Sequence, residues 1–133
     1  MSNRPGQSFA YRRWMLILYW VVMFVATHWP EIEEYAPQWG IPYSDELAHA
    51  GLYAGWTVMW WWVLSAGGQQ VGRAAINWLV IGGFVYAGFD EITQAVVDRT
   101  PAVSDFVVDV VAVIGVLAVL EAWQRRRTRR QPR

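Results

Sequence analysis

Every basic residue of this chain is an arginine, and ten of the eleven stand in three blocks: Arg4, Arg12 and Arg13 near the start, Arg73 in the middle, and six from Arg125 to Arg133. The acids avoid those blocks. Ten of the eleven lie elsewhere, at Glu31, Glu33, Glu34, Asp45, Glu46, Asp90, Glu91, Asp98, Asp105 and Asp109, and only Glu121 accompanies the C-terminal arginines. Between the charges run four apolar stretches, Trp14 to Thr27, Leu47 to Ala66, Ala74 to Phe89, and Phe106 to Leu120. Four such stretches predict four membrane helices. A crossing needs about 20 residues for a ~30 Å hydrocarbon core, and only the second stretch has that length alone. The others must take in their polar ends, which gives spans over about 13–30, 46–66, 74–97 and 102–123, with snorkelling arginines at some ends and a basic tail over 124–133.

The expected fold is thus an all-α membrane protein, a single-domain four-transmembrane-helix bundle. Four spans put both termini and the Gly67 to Arg73 loop on one side, and these segments hold ten arginines. The positive-inside rule makes that side cytoplasmic, in a multi-pass protein of the plasma membrane. The acidic segments Glu31 to Glu46 and Asp98 to Ser104 then face outwards. The first span has the basic start and short apolar core of a signal peptide, but no small-x-small cleavage pattern follows it, and its removal would leave an odd number of spans. With no cysteine in the sequence, disulfide scaffolds, thiolate metal sites and cysteine nucleophiles are excluded. The arginine tail reads as an anchor against anionic lipid, not as a nucleic-acid-binding arm. The run Trp60-Trp61-Trp62 reads as an interfacial belt.

Three segments carry polar residues where a membrane span should have none. Asp45, His49 and Tyr53 fall at i, i+4 and i+8 at the start of the second span, one stripe of a helix. Asp90, Glu91 and Gln94 close the third span, with Tyr86 a turn earlier. Asp105 and Asp109 open the fourth, after Arg99. All three ends lie at the outer leaflet. At 1.5 Å per residue, His49 lies about 6 Å in from Asp45, and Asp90 and Asp109 about 10 Å in from the ends of their spans, so the three are nearly level. An ionised group at a helix centre costs on the order of 2.5–3.5 kcal/mol in the bilayer, less near the interface, so these side chains should face one another across the bundle.

The three segments resemble the VanZ-like family, small membrane proteins named after a teicoplanin (glycopeptide) resistance factor. That family's pattern runs Asp-Lys-x-x-His-x-x-x-Tyr, then Asp-Glu-x-x-Gln, then Arg followed by Asp and Asn. Here the segments read Asp45-Glu46-x-x-His49-x-x-x-Tyr53, Asp90-Glu91-x-x-Gln94, and Arg99, Asp105 and Asp109, in the same order and spacing over roughly residues 12 to 121. Glu46 stands where the family usually has lysine and Asp109 where it often has asparagine, which makes this cluster more acidic. The resemblance implies a four-span membrane protein of the cell envelope and a link to antibiotic resistance, without a settled biochemical activity.

Two functional readings and one structural reading follow. In the enzymatic one, Asp45, His49, Asp90, Asp105 and Asp109 hold a divalent ion, a ligand set suited to zinc, manganese or magnesium. Glu91 serves as general base, and His49 and Asp90 take part in catalysis. Arg99, the single outer arginine, clamps a phosphate, with Tyr53 and Gln94 as hydrogen-bonding partners. The reaction would be hydrolysis of a lipid-linked phosphate; a metal-free variant would use His49 as base. In the second reading the same pocket binds envelope lipid or a glycopeptide protectively, without turnover. In the third the polar groups only fix helix register. Membrane lipids are the expected partners and nucleic acid is not; self-association stays open. The excess of carboxylates over one histidine and one arginine favours a bound ligand.

Overall fold

The computed structural model describes residues 5–29, 44–97 and 101–130. Arg99 and the acidic loop residues of 30–43 and 98–100 lie outside them. The described chain is all-helical, with α1 over Pro5–His28, α2 over Ser44–Leu64, α3 over Arg73–Gln94 and α4 over Val103–Arg129. Single 3-10 turns, Ala66–Gly68 and Ala95–Val97, shape the two described connections. At the first, Gly67 and Gly68 have φ of 72° and 78°, a left-handed conformation that any Cβ would strain.

The shortest helix, α2, has 21 residues and is about 32 Å long, so all four match a bilayer core in length. Length and composition together single out two, Phe9–His28 and Val103–Arg129. The other two carry what lowers mean hydropathy: tryptophans, glycines and His49 in α2; Asn77, Asp90, Glu91 and Gln94 in α3. The arginine tail is not separate from the last helix, which continues to Arg129. Arg125 donates to Glu121 at 2.7 Å one turn away, and the arginines beyond sit at the favourable C-terminal end of the helix dipole.

α4 packs along both α2 and α3, and α1 lies mainly on α2 and more lightly on α3; α2 and α3 barely touch. Cross-contacts fix the directions. His49 meets Asp109 and Val71 meets Gln124, so α2 and α4 run parallel. Trp20 meets Tyr86 and Thr27 meets Asp90, so α1 and α3 run parallel. Gly83 packs on Val113, where a Cβ would lie 3.0 Å from the valine methyls; its absence lets α3 and α4 approach closely.

The buried positions follow helical spacing. In α3 they are Ile76, Leu79, Gly83, Tyr86, Ala87, Asp90, Glu91 and Gln94, and in α4 Asp105, Asp109, Val113 and Leu117. One end of each stripe is apolar and the other polar, so the core is polar at one end. The outward faces are the reverse: Trp14 is 69% exposed, Trp78 71%, Val111 62% and Ile92 73%, whereas Asp90 and Asp109 are fully buried.

Candidate functional site

The polar half of the core is assembled by three helix ends and completed by a fourth. α2 supplies His49 and Tyr53 from one buried stripe, α3 supplies Asp90, Glu91 and Gln94, and α4 supplies Asp105 and Asp109 one turn apart. His49 Nδ1 lies 3.3 Å from Asp109 Oδ2 and, facing a carboxylate, is the donor. Both side chains are buried. Glu91 Oε2 accepts the backbone N–H of Ala102 at 2.8 Å, which places a carboxylate at the start of α4, where the helix dipole favours negative charge. Asp90 Oδ1 accepts a hydrogen bond from Thr27 Oγ1 at 2.9 Å.

Ligand atoms of His49, Glu91 and Asp109 lie within 4.8 Å of one another, as do those of Asp45, His49 and Asp105. The first triad is wholly buried, while Asp45 of the second is half-buried at the mouth. One imidazole therefore belongs to both groups, on a path from the bundle end inwards. Asp90 stands beside the deeper triad, between Thr27 and the hydroxyl of Tyr53. Gln94 is buried one turn further out.

Among the described residues, seven buried polar atoms here have no hydrogen-bond partner of good geometry, although the Tyr53 hydroxyl and Asp90 lie against each other. Four belong to acceptor side chains: His49 Nε2, which carries the lone pair once Nδ1 donates, Asp90 Oδ2, Glu91 Oε1 and Asp109 Oδ1. The other three are donor atoms: Tyr53 Oη, Tyr86 Oη and Gln94 Nε2. Leaving a buried polar group unsatisfied costs about 1–3 kcal/mol each, more when charged. His49, Glu91 and Asp109, two carboxylates and an imidazole, form a donor set that fits a small divalent cation.

α1 contributes residues that sequence reasoning missed. His28 stacks on Phe24 with ring centroids 4.0 Å apart, places Nε2 2.8 Å from Thr93 Oγ1, and brings Nδ1 to 3.6 Å from Asp90 Oδ1. The cluster thus holds two histidines, not one. The signal is in the sequence, because Thr27 closes the first apolar stretch and His28 follows it at the same end of the bundle, but neither carries a formal charge that marks it as polar core. Arg99, the expected phosphate clamp, lies outside the described residues. Comparisons with protein-family models, with curated proteins and with solved structures find no match.

Proposed function

We propose that this chain is a four-span protein of the plasma membrane, VanZ-like in its three polar segments, with both termini in the cytoplasm and a divalent-cation site in the outer half of the bilayer that hydrolyses a lipid-linked phosphate. The membrane reading is supported by the inverted distribution of polarity: large apolar side chains cover the outside of all four helices while Asp90, Asp109 and His49 are inside. In water such a surface would aggregate, and in lipid it is the expected one. The segregation of arginines supports the orientation.

The observation that carries the site is the set of buried, unpartnered acceptors facing unpartnered donors. His49, Glu91 and Asp109 would hold the cation, with Asp45 and Asp105 at the approach. A cation held there would supply charge stabilisation at a phosphoryl oxygen. Asp90, held at Oδ1 by Thr27, keeps Oδ2 for the proton of an attacking water. The hydroxyls of Tyr53 and Tyr86 and the amide of Gln94 are donors for phosphate oxygens, and Arg99 is assigned the clamp on the distal charge.

The test is metal analysis of the purified full-length protein, together with phosphate release from phosphatidic acid in mixed micelles. About one divalent ion per chain is expected, lost in His49→Ala and Asp109→Asn, with turnover lost in Asp90→Asn while the ion stays. A folded protein that binds no ion overturns the cation site. An ion-loaded protein that releases no phosphate from phosphatidic acid or polyprenyl phosphate overturns the hydrolase reading and favours binding without turnover.

A further inference from the structure

The opposite end of the bundle holds a second feature, unrelated to the acidic cluster. A cavity of about 620 Å³ opens between the last turn of α2, the α2–α3 connection, the start of α1 and the end of α4; Arg12, Trp62, Gln69, Gln70, Trp123 and Arg127 are among its walls. Its size falls in the range of about 300–1,000 Å³ typical of pockets that enclose a small ligand, far more than a bare phosphate needs. Its framework is fixed by hydrogen bonds. The Gln124 amide pairs with both backbone groups of Val71, accepting from its N–H at 2.9 Å and donating to its carbonyl at 3.1 Å. Gln70 Nε2 donates to Thr128 Oγ1 at 3.1 Å.

Of the two arginines in the walls, Arg12 is anchored by the protein and Arg127 lies over a tryptophan, and neither is neutralised by a carboxylate among the described residues. Arg12 Nη1 donates to the Trp62 carbonyl at 2.7 Å, closing the C-terminal turn of α2, and its guanidinium lies 5.0 Å from the Trp62 ring centroid. The guanidinium of Arg127 lies 5.5 Å from the Trp123 ring centroid. Glu121 is the single acid among residues 110–133, and there is none in 1–29 or 64–73. It is taken by Arg73 and Arg125, each donating to the same Oε1 at 2.7 Å. Among the described residues Arg12 and Arg127 have no carboxylate partner. A guanidinium carries five N–H donors, and only one of Arg12's is used by the protein. Two uncompensated guanidinium groups lining one cavity, each beside a tryptophan, match a phosphate attached to an apolar body.

We propose that this cavity is a binding site for the phosphate headgroup of an anionic lipid of the cytoplasmic leaflet, with Arg12 and Arg127 on the phosphate, Gln69 and Gln70 towards the headgroup alcohol, and Trp62 and Trp123 along the upper acyl chains. Basic pockets between helices at this depth are where such headgroups are recognised. The lipid source rests on the membrane reading given above; the affinity for a phosphate does not. Because the site lies at the far end of the bundle from His49 and Asp109, its loss should leave metal content unchanged.

The experiment is titration of the detergent-solubilised full chain with dioleoyl-phosphatidylglycerol, dioleoyl-phosphatidylcholine or inorganic phosphate, read by melting temperature and by retained lipid in native mass spectrometry. Phosphatidylglycerol should bind at one molecule per chain and raise the melting temperature, and phosphatidylcholine should do neither. Arg127→Gln, which removes no hydrogen bond within the described protein, should weaken phosphatidylglycerol binding at least about tenfold, in line with loss of one charge-assisted contact. Arg12→Lys keeps the charge without the fork and should weaken it less than Arg12→Gln. Arg129→Gln, outside the walls, should bind as the wild type does. Equal binding of inorganic phosphate with no gain from the lipid keeps the phosphate site but assigns it a soluble ligand, and so counts against the membrane source alone. Unchanged lipid binding in Arg127→Gln, or equal loss in Arg129→Gln, overturns the proposal.

Discussion

Thr27 shows how much hangs on one hydroxyl inside a greasy helix. Its Oγ1 donates to Asp90 Oδ1 at 2.9 Å in a place where neither group meets solvent. Thr27→Val keeps the shape and removes the donor, so it should destabilise the protein by about 1–3 kcal/mol, measured as a loss of melting temperature in detergent. Thr27→Ser, which keeps the hydroxyl, should recover most of that loss. His49, Asp90 and Asp109 were legible in the sequence because an ionisable residue inside an apolar stretch has few places to go. Thr27 and His28 were not, because they close an apolar run with no charge to draw notice, and only the parallel packing of α1 on α3 brings them to Asp90. Trp61 illustrates the opposite error. Three consecutive tryptophans cover more than half the circumference of a helix, so Trp60-Trp61-Trp62 cannot all face the interface, and Trp61 turns into the core at 5% exposure.

At the level of elements, helix number and approximate ends followed from the alternation of charge and apolar stretch, and the buried stripes of α3 and α4 from their period. The pairing of helices did not follow. Nothing in the pattern distinguishes α4 between α2 and α3 from a ring in chain order; the contacts of His49 with Asp109 and of Val71 with Gln124 decide it, by joining α2 to α4. Gly83 sets how closely α3 and α4 then pack, since a Cβ there would lie 3.0 Å from the Val113 methyls. Gly83→Leu should therefore destabilise by about 1–3 kcal/mol through overpacking, with partial rescue by Val113→Ala. Gly82→Ala is the control, because its added Cβ meets only Trp56, at an ordinary 4.0 Å. Removing a glycine from the helix should leave stability equal or slightly raised. Both are read by thermal unfolding.

For the whole molecule, orientation is the property that decides which compartment sees the acidic end. The chain has no cysteine, so single cysteines report cleanly. Ser44→Cys, at the start of α2, should react with a membrane-impermeant maleimide on intact cells, and Gln69→Cys only after permeabilisation; the reverse pattern would place the acidic cluster in the cytoplasm. Both positions are exposed in the fold, so failure to react reflects the membrane and not burial. The central place of α4 has a further bearing on how the protein is made. α2 and α3 scarcely touch, and the partner of His49, the anchor of Glu91 and the second carboxylate pair all come from the final helix or the residue before it. If the chain spans a membrane as proposed above, the first three helices hold the His49 imidazole and the Glu91 carboxylate in or beside lipid until Asp109 and Ala102 are made. On that reading, a chain truncated before Ala102 leaves His49 and Glu91 without the partners that Asp109 and the Ala102 N–H supply.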